Sequence, residues 1–424
     1  MKMNVYMQNV GIIGGGAAGM FAAVNLKTLS PGVAVTVLEA GTRVLAKVAV
    51  TGGGRCNLTN TFAGVRSMEE VYPRGARLMK RLMYGFSERD TRTWFENHGI
   101  PLAVRKDFDP DCSMSERECV FPASQDAMTI VNSLTHEARK RGVEIVTSQP
   151  VTAVEAVGGA YRVTAAGEER TFDQLLIATG GLSPKTRAAL APLELPIVEP
   201  VPSLFTFNLP ESPLRELTGT VADPVTVGLT GTKLRAEGAL LVTHWGVSGP
   251  AVLRLSSYAA RLLAERDYLA ELSINWLHDV RAEEASARLA SQARQTPQKL
   301  LSSVSPFVLS RRLWDYILQK AGIPAERRWA EAGARQMNRL AEVLTNDRHG
   351  IAGQSRFKEE FVTCGGIDLS AVSSQLESRR HPGLFFAGEV LDIDGVTGGF
   401  NLQAAWTTGM TAARAMEAIL RRRS

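Results

Sequence analysis

Few side chains in this 424-residue sequence have the type and setting to do chemistry unaided. His244, between Thr243 and Trp245 in a loop bounded by Gly and Pro, is the best candidate general acid–base, since an imidazole moves protons near neutral pH. It also reads as a histidine satisfied by local backbone groups. Arg55 is a rigid five-donor fork that could hold an anionic group or tie down its own loop. Cys56 beside it offers a thiol, although a small buried side chain is the simpler reading. Asp392 and Asp394 flank a glycine turn that either could order. No spacing of His, Cys, Asp and Glu suggests a metal site, and no Ser-His-Asp set follows from order alone. Such a chain would have to borrow its chemistry from a bound cofactor.

The grip for one is legible at residues 9–19, Asn-Val-Gly-Ile-Ile-Gly-Gly-Gly-Ala-Ala-Gly. A short apolar strand runs into Gly14-x-Gly16-x-x-Gly19, and a small-residue helix, Ala17 to Leu29, follows at once. Gly14 permits the tight turn, Gly16 lets the backbone approach a pyrophosphate, and Gly19 lets helix and strand pack closely. The diphosphate would then rest on unpaired N–H groups at a helix N-terminus. A second strand, Val33 to Leu38, ends at Glu39, roughly 20 residues on, where an acid meets ribose hydroxyls.

The chain holds one such fingerprint, where a self-contained NAD(P)H–FAD reductase commonly carries two. Three features assign it to FAD. The strands and hairpin at 143–166 lead to Leu-Leu-Ile-Ala-Thr-Gly-Gly (175–181), a second glycine turn against the nucleotide. Ala387-Gly388-Glu389 closes a strand and sets an acid beside the ribityl chain. Thr397-Gly398-Gly399-Phe400-Asn401-Leu402 opens the last helix, whose N-terminus could face the flavin N1–C2=O edge, where negative charge gathers on reduction. A helix dipole favours such an anion by roughly 0.3–2 kcal/mol.

These motifs need elements to position them. The length calls for two or three domains. With 45% apolar and 21% charged residues the composition is that of a soluble globular protein. The net charge of +5 and pI near 9.1 are mildly basic and read as a solvated surface, which disfavours a nucleic-acid partner; no aromatic–basic stripe stands out. Four cysteines without a CxxC pair suit a reducing cytoplasm, and no apolar run reaches the roughly 18–20 residues of a membrane span. Monomer and dimer both stay open. A capped helix starts at Ser87 with Asp90 and stops at Gly99, and another runs from Ser124 to Arg141. Strands are expected at Val143–Thr147, Val151–Val157, Tyr161–Ala165, Gln174–Ala178 and 384–389, with Gly158-Gly159 as a hairpin turn. The reading is an α/β protein: an FAD-binding domain over 1–190 and 357–424, interrupted by an insert at 191–356. Within the insert 191–278 reads as β-rich and barrel-like and 279–356 as helical.

The blocks Lys47 with Thr51-Gly-Gly-Gly-Arg-Cys-Asn-Leu-Thr-Asn60, Val120-Phe121-Pro122, Thr243-His-Trp-Gly-Val-Ser-Gly-Pro250 and Phe386 through Asn401 resemble the BaiN-like, or aminoacetone-oxidase-type, FAD-binding flavoproteins. The resemblance spans nearly the whole chain. It implies a Rossmann-like, glutathione-reductase-type domain split by a barrel-plus-helices insert, with non-covalent FAD and NAD(P)H as a transient electron donor. It departs from the family pattern after Gly180-Gly181, where the usual glycine-rich turn is missing, and at Glu118-Cys119, where Gly-Arg is usual. Motifs and resemblance together give the expected cofactor contacts. These are Gly14, Gly16, Ala17, Ala18, Gly19, Glu39, Ala40 and Lys47, then Gly53, Gly54, Arg55, Cys56 and Asn57. Val151, Ala178, Thr179, Gly180 and Gly181 follow, and Gly388, Glu389, Gly399, Phe400, Asn401 and Leu402 complete the set. The expected activity is hydride transfer between FAD and a small organic substrate, with His244 and Arg55 as the catalytic candidates. Amine oxidation by O2 and FAD-dependent RNA modification are the alternatives.

Overall fold

The computed structural model describes residues 8–109, 112–113, 116–353 and 362–423. The chain divides into two compact units. The first gathers Met1–Cys112, Glu116–Val201 and Val362–Ser424, and the second holds Ser113–Ser115 with Pro202–Phe361.

The first unit is built on a five-stranded parallel sheet. Its order is Leu384–Phe386, Gln174–Ile177, Asn9–Ile13, Ala34–Leu38 and Glu144–Val146. The three central strands are nearly continuous buried apolar runs, as a sheet covered on both faces requires. Ile13 pairs with both Ile177 and Leu38, and Ile177 with Phe386, so four strands end level at one carboxyl edge. The helix Ala17–Leu29 follows the first strand and buries Ala18 to Leu26. The last helix, Phe400–Arg423, packs on it so closely that a Cβ at Gly409 would lie 2.8 Å from the Ala18 carbonyl oxygen. Ser87 and Asp90 form the reciprocal cap of Glu88–Asn97. The second amphipathic helix starts later than its sequence suggests, at Ala127, because the Asp126 carboxylate rather than Ser124 accepts from a first-turn amide, that of Met128. Gly158 and Gly159, both at positive φ, turn the hairpin Val151–Val157 to Ala160–Ala165. Ile197–Ser203 pairs with Val362–Ile367, which carries the first unit on to Val201.

The second unit carries a six-stranded antiparallel sheet. Its order is Phe207–Asn208, Gly246–Ser248, Arg235–Val242, Val221–Leu229, Leu269–Asn275 and Asp347–Ala352. Asn208 Nδ2 donates to the Ala352 carbonyl at 3.2 Å and all but closes the sheet into a barrel. The closing strand lies in the stretch that sequence assigned to helices. Asp347, His349 and Ile351 alternate inward, and two polar members of that face disguise its period. Helices Ala282–Gln295, Arg311–Lys320 and Ala334–Thr345 surround a core that includes Trp314 and Trp329. Asp347, fully buried, accepts from Trp276 Nε1 and Tyr316 Oη at 3.0 Å each and pairs with Lys320.

Candidate functional site

The loops after Ile13, Leu38, Ile177 and Phe386, four of those expected to touch a dinucleotide, leave the same carboxyl edge of the parallel sheet, where ligands of open α/β sheets bind. Gly14 turns there at φ +106°, and a Cβ on it would lie 2.3 Å from the Ala178 carbonyl oxygen. A Cβ on Gly19 would meet the Gly14 carbonyl oxygen at 2.0 Å. Gly16 differs, because a Cβ there would touch nothing within 4 Å. It caps the first helix with no side-chain hydrogen bond, and the first turn holds no acid. The first-turn amides of Ala17, Ala18 and Gly19 therefore have no side-chain cap at the positive end of a helix, a ready anion cradle.

Glu39 ends the second strand and is fixed by backbone donors. Its Oε2 accepts from Gly15 N–H at 2.8 Å and its Oε1 from Gly41 N–H at 2.7 Å. A carboxylate has about four lone-pair sites, so capacity remains for ribose hydroxyls. Ala40 beside it is exposed. In the turn after Ile177 the Thr179 hydroxyl is buried without a hydrogen-bond partner, and Gly180 stands at φ +76°. Ala178 is buried next to them, and Val151 is half-buried at the start of the hairpin. Glu389 Oε1 accepts from Thr363 N–H at 2.8 Å while its Oε2 lies 3.4 Å from the exposed Lys47 ammonium. Gly388 N–H donates to Thr408 Oγ1 at 2.8 Å. An uncapped helix end, an orphaned hydroxyl and a glycine with empty space above it fit a dinucleotide of the FAD kind.

The N-terminus of the last helix is held from three sides. Gly399, at φ +90°, brings its backbone so near Thr59 that a Cβ would lie 2.4 Å from that carbonyl oxygen. Asn401 spends both ends of its amide on Gly395, accepting from N–H at 2.7 Å and donating to the carbonyl at 2.8 Å. Only its backbone amide, with those of Phe400 and Leu402, is left for a ligand. Tyr72, fully buried, donates its hydroxyl to the Phe400 carbonyl at 2.8 Å, and burial pushes that phenol well above its usual range. Asn60 Nδ2 donates to the Gly398 carbonyl at 3.0 Å. Thr59 Oγ1 donates to Gln403 Oε1 at 2.6 Å, Gln403 Nε2 to Thr407 Oγ1 at 2.9 Å, and Thr407 Oγ1 to the Phe86 carbonyl at 3.0 Å. Arg74 clasps the fully buried Asp394 through two nitrogens, with Nε 2.5 Å from Oδ1. Asp394 thus orders its turn, as one reading of the sequence had it. Arg74, Tyr72, Asn60 and Gln403 were missed, because nothing near them in sequence announces their partners.

In the Gly52–Asn57 loop, a Cβ on Gly53 or Gly54 would meet nothing within 4 Å. Arg55 donates through Nε to the Gly52 carbonyl at 3.1 Å and lies over the Phe121 ring, 5.2 Å from its centroid. Cys56 is buried at φ +62°, and that burial raises its thiol to about 12 against a hydrogen bond with Thr51. It is a packed thiol. Asn57 lies against the last turn, its Oδ1 2.8 Å from where a Cβ on Gly399 would sit. The first unit thus brings together the expected cofactor contacts. His244 belongs to the second unit, where its side chain is exposed, edge-on to Trp245 at 4.4 Å, and its carbonyl accepts from Arg215 Nε at 2.8 Å. Among the described residues no His/Cys/Asp/Glu group could hold a metal and no helix is long and apolar enough to cross a membrane.

A family profile described as "HI0933-like protein Rossmann domain" matches residues 8–415. A 3-dehydro-bile acid delta(4,6)-reductase of Clostridium scindens is 28% identical over 424 residues, covering 96% of this chain and 99% of that protein. A ribosomal RNA dihydrouridine synthase of Escherichia coli is 30% identical over 415 residues, 95% of this chain and 96% of that protein. Among solved structures, a 3-ketosteroid-delta4-(5alpha)-dehydrogenase of Rhodococcus jostii covers 98% of both chains at 12% identity, with a TM-score of 0.49.

Proposed function

The chain belongs to the HI0933-like Rossmann family, the FAD-binding lineage its motifs resembled, and from that premise we propose that it reduces a carbon–carbon double bond conjugated to a carbonyl. One observation carries the reading. The two relatives act on unlike molecules, yet a 3-oxo-Δ4,6 bile acid and the uracil ring both present a C=C activated by a carbonyl, and both named reactions saturate it.

FAD, if bound there, would supply hydride chemistry, with NAD(P)H as the proposed electron donor. The first-helix amides of Ala17–Gly19 would hold the pyrophosphate, Glu39 the adenosine ribose, and Glu389 with Lys47 the ribityl–pyrophosphate stretch. The last-helix amides of Phe400–Leu402 would hold the flavin end, where their dipole would favour negative charge. The Tyr72, Asn60 and Arg74–Asp394 braces keep that helix end in place. Arg55 is the proposed anion clamp within the first unit.

The test is anaerobic. Protein reduced with NADPH or NADH is mixed in turn with a steroid dienone, uridine and simple enones while the flavin absorbance is followed. Return of the oxidised band with a saturated product supports the reading. Reduced protein that ignores every alkene but is oxidised by air within seconds, with amines as reductants, replaces it with the amine-oxidase alternative.

A further inference from the structure

Resting on the proposed reduction of a carbonyl-conjugated double bond and taking a uracil held in RNA as its acceptor, we propose that the helix Ala76–Met83 and the tyrosine that ends it form a docking surface for single-stranded RNA. Arg77, Lys80, Arg81 and Tyr84 fall at i, i+3, i+4 and i+7, one stripe of a helix, and all four are exposed. Leu78, Met79 and Leu82 are buried on the other side. The helix has no acid in its first turn and two cations in its last, and none of its three cations forms an ion pair among the described residues. Tyr84 is 84% exposed, a bare aromatic face at the end of a row of positive charge. Phosphates answer the cations and a base answers the ring, which is how proteins hold single strands. An acidic protein segment would use the cations alone.

The stripe is rooted beside the candidate site. Gly75, just before the helix, packs on Ile393, and a Cβ there would lie 2.6 Å from its Cγ1. Tyr72, a few residues earlier, is the residue that holds the Phe400 carbonyl. At the far end Arg414 donates to the Gly85 carbonyl at 2.8 Å and adds a fourth exposed cation. The acids nearby are Glu69, whose carboxyl is lowered first by hydrogen bonds to its own backbone and Ser67 and then by Lys80 and Arg77, and Asp90, tied up in its helix cap. At about 1.5 Å per residue the helix is roughly 12 Å long.

Binding of a fluorescently labelled oligouridylate to the FAD-loaded full chain, followed by anisotropy across a salt series, tests the surface. Single strands lose about 0.7 in log–log salt slope per phosphate contact, so Arg77→Ala/Lys80→Ala/Arg81→Ala should lower the slope by about 2. Tyr84→Ala should weaken binding at fixed salt roughly five- to hundred-fold with the slope intact. Binding unchanged in both variants overturns the proposal, as does displacement of RNA by polyglutamate with Tyr84→Ala indistinguishable from the parent. Flavin content and turnover of a small enone should stay at parental values, which shows that the variants fold. The two readings separate cleanly. A parent protein that reduces enones while its RNA affinity ignores the stripe refutes the surface alone, and one that binds RNA through the stripe but reduces no alkene refutes the reductase alone.

Discussion

Replacing Gly16 with alanine separates holding a cofactor from holding a fold. The backbone at Gly16, φ −80° and ψ −167°, is ordinary for alanine, and the new methyl would meet no protein atom within 4 Å. Alanine is a poorer N-cap than glycine by about 1 kcal/mol, while the restricted unfolded chain returns roughly 0.4–1 kcal/mol, so the net change in stability is near zero. Thermal midpoints of the cofactor-free proteins should agree within about 2–4 °C. On the proposed binding mode, the methyl would occupy the space through which a diphosphate reaches the helix amides. Displacing it loses one or two hydrogen bonds to a charged group, about 1.5–3 kcal/mol each, so FAD should bind at least about tenfold and up to roughly ten-thousand-fold more weakly. Gly14→Ala and Gly19→Ala, whose methyls would strike backbone oxygens, should lose folded protein as well as flavin. Flavin fluorescence titration alongside calorimetry measures both quantities. An alanine at position 16 that binds FAD as tightly as glycine would refute the cradle, and one that unfolds the apoprotein would refute the claim of free space.

Asp394→Asn leaves Arg74, only 14% exposed, without its buried counter-charge and should cost about 3–5 kcal/mol in urea unfolding, with FAD released earlier along the curve; a cost under a kilocalorie would show that the pair is not needed. Glu39→Ala frees the amides of Gly15 and Gly41 and should loosen the adenine half, so that ADP-ribose competes poorly for the variant and well for the parent. Burial pushes the Asp347 carboxyl up, but His349 and then Lys320 bring it below the usual carboxylate value. A carboxyl depressed in the fold stabilises above its unfolded pKa, and that support is lost as pH falls through the folded value. Lys320→Met should therefore move acid unfolding of the second unit to higher pH, and an unmoved transition would show that Lys320 contributes nothing there.

What could be read in the sequence was what is local. Gly14, Gly16 and Gly19 act within one turn of chain, and their structural parts were recoverable from spacing, as were the Ser87–Asp90 cap and the Gly158-Gly159 hairpin. Arg74 and Asp394 stand 320 residues apart, and Tyr72 and Phe400 328 apart, so no periodicity connects them. The barrel's closing strand escaped because Asp347 and His349 occupy inward positions that a hydrophobic pattern leaves blank. The stripe at 77–84 escaped for a related reason. Its cations alternate in sequence with leucine and methionine, and only the helix phase collects them on one side.

The cofactor body is stitched from pieces of chain on either side of a contiguous second unit. During synthesis the fingerprint strand leaves the ribosome early, but Leu384–Phe386, which pairs with Gln174–Ile177 at the edge of the same sheet, and the Gly409 contact on Ala18 come only after the whole intervening stretch. The interrupting unit can collapse first, while the Gln174–Ile177 strand waits with one edge lacking its Leu384–Phe386 partner. Flavin would then be captured late, as the final helix seats, and that helix would act as the latch of biogenesis rather than as trim at the end of a finished domain.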